Sequence, residues 1–420
     1  MGRRSKSSQL ITIIAMAVLI FVLAAAHYPA LLAIAAIIVI VIFIIKRNPT
    51  KKEFNEDNIF SPNYTPKAEP NKDAITVSMS MSQEPAEVIP LATRIKTAIP
   101  SKQGLFPHEL LALDYAPTFY SDAETDSFQN FWYYYGVNDV KALLSSLLKK
   151  GYLRIGELSD ALENETMVTL KRTLKNHELK TSGKKEDLVK RIIEEVPHDK
   201  LNDIYPRRPY RLTDLGKEAL ADGDYISYIH RNQFEDLNIW TLNKLVHSGQ
   251  PKPYREKILE YLYERGSKHL SEDNYGLYIL CLLGISKLLM EENKMESALE
   301  VLAKEVFYDL SGLENNYDPK FLSISSLFPY DRSFAKISDH TTDRIERCQK
   351  ELGYSDEELK SFLIKQISSL KAPLQIFTAE ECVQIVFWER EQNIKALNGL
   401  YNKAKESFKQ RYPNIKSRSY

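Results

Sequence analysis

Residues 167–196 carry two short apolar stripes with helical spacing, one on each side of a polar, basic segment. Side chains three or four residues apart share one face of an α-helix. The stripes therefore predict two short amphipathic helices that share a small core. The stripe positions are Leu170 and Leu174 on the first helix, and Leu188, Ile192 and Val196 on the second.

The segment between the stripes is predicted to run extended and to bind an anion. Leu179 can reach the small core, while Lys180-Thr181-Ser182-Gly183 continues past it. Ser182 is expected to cap the second helix, because its hydroxyl can accept a hydrogen bond from a backbone N–H of the first turn. Lys184 and Lys185 then lie in that turn, beside N–H groups that favour an anion. Two ammonium groups and free amides together predict a phosphate clamp.

The order of these residues resembles the SAP domain, a small helix–extended loop–helix module that binds DNA. The resemblance covers residues 167–196 and rests on the order Leu-Lys…Leu…Leu-x-x-Ser-Gly-Lys-Lys-x-x-Leu-Val-x-Arg. It implies contact with double-stranded DNA, mainly through phosphates, which position a protein without reading sequence, and a preference for AT-rich DNA. The DNA contacts that we expect are Lys171, Lys175, Lys180, Thr181, Ser182, Gly183, Lys184, Lys185 and Arg191.

One position departs from the family pattern. Family members usually carry glycine just before the central leucine, where this chain has Glu178. Glycine would end the first helix in a left-handed conformation at little cost. Glu178 must therefore adopt that strained conformation or end the helix in another way, and it places a negative charge near the loop. The segment has eight Lys and Arg against five Asp and Glu; the alternative interpretation is a solvated helical hairpin without a ligand.

Residues 1–52 contain two apolar runs, 10–26 and 30–45, separated by His27-Tyr28-Pro29. One straight helix through both runs would be about 54 Å long at ~1.5 Å per residue, far longer than a ~30 Å hydrocarbon core. The sequence therefore predicts a transmembrane helical hairpin that contacts membrane lipid through residues 10–45. Positive residues flank both runs, which predicts a multi-pass membrane protein with its soluble domains in the cytoplasm.

Two alternatives to this hairpin stay open. Ala24-Ala25-Ala26 resembles the small-residue cleavage site of a signal peptide. Cleavage there would, however, leave a second apolar run at the new N-terminus. A single tilted or re-entrant segment would also accommodate the two runs.

Residues 53–100 are predicted to be a disordered linker. They carry six prolines among Asn, Ser, Glu and Lys, with few aromatic side chains and no clear hydrophobic period. Such a composition cannot bury enough apolar surface to offset the entropy lost on ordering. A flexible chain of this length has an end-to-end distance on the order of 40 Å.

Residues 101–234 are predicted to form a winged-helix-like region. Residues 140–150 have the pattern of an amphipathic helix, followed by a strand at 152–155. Much later, a strand at 210–212 precedes Thr213, a predicted helix cap, and a further helix. These patterns resemble the two sides of the wing in winged-helix proteins. We therefore expect the strands to pair and to carry the SAP-like segment as an insertion; the alternative is an ordinary helical domain with two short strands.

Residues 235–420 are predicted to be nearly all helix. One antiparallel pair, 275–292 and 295–309, resembles a single tetratricopeptide-like unit, but its period is not repeated, whereas stacked arrays need several units. The block is expected to be either a docking surface for a protein partner or the packed body of the protein. The other predicted helices are 254–265 and two that open with the capping boxes Ser355…Glu358 and Thr378…Glu381, the last running towards Tyr412.

Signatures of enzymes are absent from the sequence, which has no phosphate-binding glycine loop, dinucleotide fingerprint, His-Glu-x-x-His or nucleophile elbow. We therefore expect no catalytic residue and no cofactor. No metal site is expected either, because Cys281, Cys348 and Cys382 are too widely spaced for a zinc site or a disulfide framework. A net charge of zero excludes a chain that coats DNA by bulk electrostatics. Any DNA contact must be a local patch.

The predicted fold class is mainly α: a transmembrane helical hairpin, a linker, and a helical cytosolic body with a small β-hairpin carrying the SAP insertion. The predicted function is that of a membrane-anchored DNA-binding protein that holds duplex DNA near the cytoplasmic face. As a whole chain it resembles SAP-domain proteins of Gram-positive bacteria and their phages. The alternatives are a non-enzymatic membrane adaptor that binds proteins through residues 235–420, and an enzyme acting on DNA.

Overall fold

A computed structural model describes residues 88–123, 128–313 and 322–415 of the chain. The elements up to the second strand are α1 (Leu91–Ile95), α2 (Pro107–Tyr115), α3 (Phe131–Tyr134), α4 (Val140–Lys149), β1 (Leu153–Ile155), α5 (Leu158–Asn164), α6 (Met167–Asn176), α7 (Lys185–Glu195), α8 (His198–Ile204) and β2 (Tyr210–Leu212). The elements after it are α9 (Asp214–Asp222), α10 (Asp224–Arg231), α11 (Ile239–Val246), α12 (Tyr254–Ser271), α13 (Tyr275–Glu291), α14 (Met295–Asp309), α15 (Ile324–Leu327), α16 (Asp339–Leu352), α17 (Asp356–Ser368), α18 (Ala379–Arg390) and α19 (Ile394–Arg411).

The two short strands pair antiparallel, as the sequence predicts. Leu153 of β1 lies opposite Leu212 of β2. The hydroxyl of Thr213 accepts a hydrogen bond from the N–H of Gly216 at 3.1 Å, which confirms the predicted cap of α9. A Cβ at Gly216 would lie 2.2 Å from the carbonyl oxygen of Tyr152. Glycine therefore allows α9 to approach the start of the strand pair closely.

Four helices, α5 to α8, lie between the paired strands in the chain and enclose a hydrophobic core of their own. The segment that the sequence singles out supplies α6 and α7, while α5 and α8 extend it at both ends. We call residues 157–205 the inserted module. Its buried core consists of Leu162, Leu170, Leu174, Leu188, Val189, Ile192, Val196, Leu201 and Tyr205.

Most other buried apolar side chains form one continuous main core, which runs from Leu105 to Phe408. Ile229 and Ile239, on either side of the predicted boundary between residues 234 and 235, both belong to it. Residues on both sides of that boundary therefore share a core. The exact division into domains at 101–234 and 235–420 stays a prediction.

The C-terminal helices are joined in pairs by connections of only three residues, at 272–274, 292–294, 353–355 and 391–393. Such short connections make consecutive helices antiparallel neighbours. Each connection contains one residue with positive φ, and these residues are Asp273, Asn293, Gly353 and Gln392. The predicted pair α13–α14 and both predicted capping boxes are confirmed.

Two sequence-based helix boundaries in this region are wrong. Helix α12 continues to Ser271 rather than stopping at residue 265. The single helix predicted from Thr378 towards Tyr412 is two helices, because the chain turns at Gln392 with a φ of +53°.

The predicted transmembrane fold class and multi-pass membrane localisation are corrected by the structure. Among the described residues, no helix combines the length and the apolar character needed to cross a bilayer. The most apolar long helix, α13, instead buries side chains such as Leu282 and Ile285 in the main core. The predicted spans at 10–26 and 30–45 lie outside the described residues.

The end of the predicted disordered linker is folded. Residues 91–95 form α1, and the N–H of Ile99 donates a hydrogen bond to Oδ1 of Asn243 at 2.8 Å. The amide of Asn243 in turn donates to the carbonyl oxygen of Ile99 at 2.9 Å. The rest of the predicted linker, residues 53–87, lies outside the described part of the chain.

Candidate nucleic-acid interface

Helix α6 of the inserted module turns a basic face to solvent. Its N-cap is Thr166, whose hydroxyl accepts a hydrogen bond from the N–H of Thr169 at 3.2 Å. Leu170 and Leu174 are fully buried, which confirms the predicted apolar stripe. No acidic residue occurs within this helix. Its exposed basic side chains are Lys171, Arg172 and Lys175.

The turn after α6 depends on Glu178, which has a φ of +60°. The N–H of Leu179 donates to the carbonyl of Leu174 at 2.8 Å, and the N–H of Glu178 donates to the carbonyl of Lys175 at 3.1 Å. This pair of bonds is a Schellman motif, which requires a left-handed residue at the position of Glu178. That conformation costs an L-residue about 1–2 kcal/mol. Of the two outcomes left open for Glu178, the structure shows the strained one, and Leu179 packs against the module core as predicted.

Arg191 of α7 holds the extended loop in place. Its Nη1 donates to the carbonyl oxygens of Lys180 at 2.5 Å and Ser182 at 3.2 Å. The guanidinium group is therefore a positioning group for the loop. The loop ends at Gly183, where φ is +133° and a Cβ would lie 3.1 Å from the side chain of Asp187. Glycine suits this position on both grounds.

Helix α7 begins directly after Lys184. The N–H of Lys184 donates to Oδ2 of Asp187 at 3.0 Å. The prediction that Ser182 caps α7 is wrong, because the N-cap is Lys184. The Asp187 carboxylate accepts from the N–H of Lys184, and the Ser182 carbonyl accepts from Arg191. The first N–H groups of α7 have no acceptor within the helix. An anion would be stabilised beside them.

The environment of Lys185 differs from that of Lys184. Lys184 is exposed, whereas Lys185 is half-buried in a cleft of about 540 Å³ between α5 and α7. Carboxylates of Glu163, Glu186 and Glu194 line the same cleft. Negative charge beside Lys185 competes with a phosphate for its ammonium group.

The remaining predicted contacts lie in the loop itself. Thr181 is half-buried, and Ser182 and Gly183 are exposed. The exposed cations of α6 and of the loop, including the start of α7, form what we call the basic surface. It consists of Lys171, Arg172, Lys175, Lys180 and Lys184.

Arg211 of β2 fastens the inserted module to the strands, a role that sequence reasoning missed. Its Nε donates to Oδ1 of Asp160 at 3.0 Å, and its Nη2 donates to the Asp160 carbonyl at 2.7 Å. Burial of Asp160 opposes ionisation, but hydrogen bonds from the Glu157 N–H and from Arg154, with the charge of Arg211, hold its pKa below the ordinary value. The sequence carries no signal of this contact, because an arginine in a short strand is ordinary.

This geometry defines a compact helix–loop–helix module with a basic surface beside a helix N-terminus, a class of site that suits the phosphate backbone of a nucleic acid. Residues 166–196 match the SAP domain family. This segment is therefore similar to a SAP domain, and such a domain suggests binding to nucleic acid. Comparisons with curated proteins and with solved structures gave no match. The resemblance of the whole chain to proteins of Gram-positive bacteria and phages stays a prediction.

Replacing Glu178 by glycine is expected to stabilise the inserted module by about 1 kcal/mol, because glycine adopts positive φ without strain. Removal of the negative charge beside the loop should also increase affinity for DNA. Hydrogen exchange of the module amides measures the first effect, which should appear as about fivefold slower exchange.

Glu178→Gln is the matched control, because it removes the charge but keeps the Cβ. It should raise DNA affinity without slowing exchange. Equal exchange rates in the Gly and Gln variants would contradict the strain at this turn.

Proposed function

We propose that this protein binds double-stranded DNA through its SAP domain and contacts mainly the phosphate backbone. The observation that carries the proposal is the basic surface, which lies within the segment that matches the family. Two of its five cations, Lys180 and Lys184, lie in the loop that leads into α7, whose first backbone N–H groups also favour phosphate.

The two helices of the domain are unequal as surfaces for DNA. Helix α6 and the loop present cations, whereas the side chains on the exposed face of α7 are mostly acidic: Lys190 is exposed beside Glu186, Asp187, Glu194 and Glu195. Phosphates would be repelled from that face. The duplex is therefore proposed to lie against α6 and the loop, with the acidic face of α7 turned away.

The proposed activity is binding, and no catalytic role is assigned. Contacts to phosphates fix the position of a protein on DNA but do not read the base sequence. The preference for AT-rich DNA and the protein partner of residues 235–420 both stay predictions.

Binding of the full-length protein to a short duplex across a salt titration tests the proposal. A surface that neutralises about four phosphates should give a slope of log K against log salt concentration of about −3 to −4. Binding that is absent, or that does not depend on salt, would overturn the proposal. A duplex and a single strand of equal length, compared at one salt concentration, test the preference for double-stranded DNA.

A further inference from the structure

Glu235, His269 and Cys281 bring three metal-ligating side chains together at the edge of the main core. Their ligand atoms all lie within 4.8 Å of one another. Glu235 belongs to the turn before α11, His269 to α12 and Cys281 to α13. Among the described residues, this is the one group of three His, Cys, Asp or Glu with such spacing. Tertiary packing, rather than a sequence motif, assembles the group.

All three side chains are shielded from solvent. Cys281 is fully buried, and the side chains of His269 and Glu235 are only 5% and 6% exposed. Glu235 has a φ of +48°, in the left-handed region that residues other than glycine rarely adopt. Such strain persists where the surrounding structure enforces it, and it concentrates at functional sites. Here the strained residue, Glu235, carries the buried carboxylate itself.

The polar atoms of this group are only partly satisfied. His269 Nε2 lies 2.5 Å from Oε1 of Glu235. His269 Nδ1 is buried and has no hydrogen-bond partner among the described residues. Burial raises the pKa of the Cys281 thiol to about 12, so the sulfur carries its proton at neutral pH unless a cation is bound.

We propose that Glu235, His269 and Cys281 form a binding site for one divalent metal ion, and that Zn²⁺ is the ion that suits them best. Zinc accepts carboxylate oxygen, imidazole nitrogen and thiolate sulfur at ~2.0–2.3 Å, so tetrahedral ligands lie about 3.5 Å apart. The ligand atoms must rearrange to reach this spacing: the 2.5 Å contact between His269 Nε2 and Glu235 Oε1 widens by about 1 Å, and any longer separation, at most 4.8 Å, shortens. Binding through Nε2 moves the imidazole proton to Nδ1, and the Cys281 thiol releases one proton to solvent.

Arg265 is the cation that now neutralises Glu235. Its Nε and Nη2 donate to the two carboxylate oxygens, both at 2.6 Å. A metal ion on Oε1 must displace one of these bonds. Asp236 offers an alternative partner, because its Oδ2 lies 4.0 Å from Nη2 of Arg265. The rival description is a closed ion cluster of Arg265, Glu235 and His269 that holds no metal.

Titration of the full-length protein with Co²⁺ separates the two descriptions, because a thiolate bound to Co²⁺ gives a charge-transfer band in the near ultraviolet. We expect one equivalent to bind, with this band and with release of one proton per ion. Cys281→Ser should abolish the band and weaken binding by about 100-fold or more, since even outer-sphere changes cost 10–100-fold. Cys348→Ser and Cys382→Ser, at the other buried cysteines, are matched controls and should keep the band.

Thermal unfolding of the wild-type protein with and without Zn²⁺ provides a readout that needs no variant. An ion that binds the native state alone raises the midpoint of unfolding. A wild-type protein with neither a stoichiometric band nor a rise in midpoint would overturn the metal site. A band that persists in Cys281→Ser would overturn the ligand assignment. If that variant does not fold, His269→Gln should weaken Co²⁺ binding by about 100-fold or more, and an unchanged affinity would overturn the assignment. The result is independent of DNA binding, because neither readout involves DNA.

Discussion

Replacement of Lys180 and Lys184 by alanine should flatten the slope of log K against log salt concentration by about two units. Each lysine that neutralises a phosphate contributes about 0.9 to the slope. Both side chains are exposed on the loop, where the chain approaches the N-terminus of α7. Affinity for a duplex should fall by on the order of tenfold or more at moderate salt. A salt titration of the double variant, followed by fluorescence anisotropy, measures both effects.

Two matched variants make this result specific. Lys350→Ala/Lys395→Ala removes the same charge from exposed positions in the C-terminal helices and should leave the slope unchanged. Lys185→Ala/Lys190→Ala removes the same charge within the module, but Lys185 lies among carboxylates and Lys190 is 3.8 Å from Glu194. It should flatten the slope by less than one unit. A folded Lys180/Lys184 variant with the wild-type slope would refute the basic surface as the DNA contact.

The helices of the SAP domain could be predicted from the sequence because their determinants are local. Apolar spacing defines the buried faces, and every stripe residue from Leu170 to Val196 is buried as expected. At Glu178 the sequence left two outcomes open, a strained left-handed residue or another way of ending the helix, and the Schellman turn that forms needs the strained one. The strand pair could be predicted from two local patterns: a helix followed by the strand at 152–155, and the strand at 210–212 followed by the Thr213 cap.

The start of α7 could not be predicted in the same way, because it depends on contacts across the loop. Arg191 binds the carbonyl groups of Lys180 and Ser182 from a helix that begins after them. A preference for Ser as a helix cap is weaker than this tertiary contact. The same limit applies to Arg211 and Asp160, which are 51 residues apart in the chain and meet only once the strands have paired.

The turn within the last predicted helix shows a limit of another kind. Gln392 adopts a φ of +53°, although glutamine favours helix and gives no signal of a break. The turn forms because α18 and α19 pack against each other with their apolar faces on the main core. Tertiary packing overrides local propensity there.

Replacement of Leu174 by alanine should unfold the inserted module while the main core stays folded. Leu174 is fully buried in the separate module core, and truncation of such a leucine costs about 2–5 kcal/mol. A core of only nine buried side chains stabilises the module by little more than this free energy. Hydrogen exchange should therefore become fast across residues 157–205 and stay slow in helices such as α13 and α14. Binding to duplex DNA should be lost together with this protection.

Leu299→Ala is the converse control, because Leu299 is equally buried but lies in α14 of the main core. It should lower the midpoint of global unfolding. Hydrogen exchange in residues 157–205 should then be no faster than in the helices of the main core. Arg211 and Asp160 join the two parts by polar contacts at one end of the module. These polar contacts fix the position of the module on the strands, while its hydrophobic core stays separate from the main core. If Leu174→Ala instead accelerated exchange equally throughout the protein, the module and the body would form one cooperative unit, and the inserted module would not be an independent DNA-binding element.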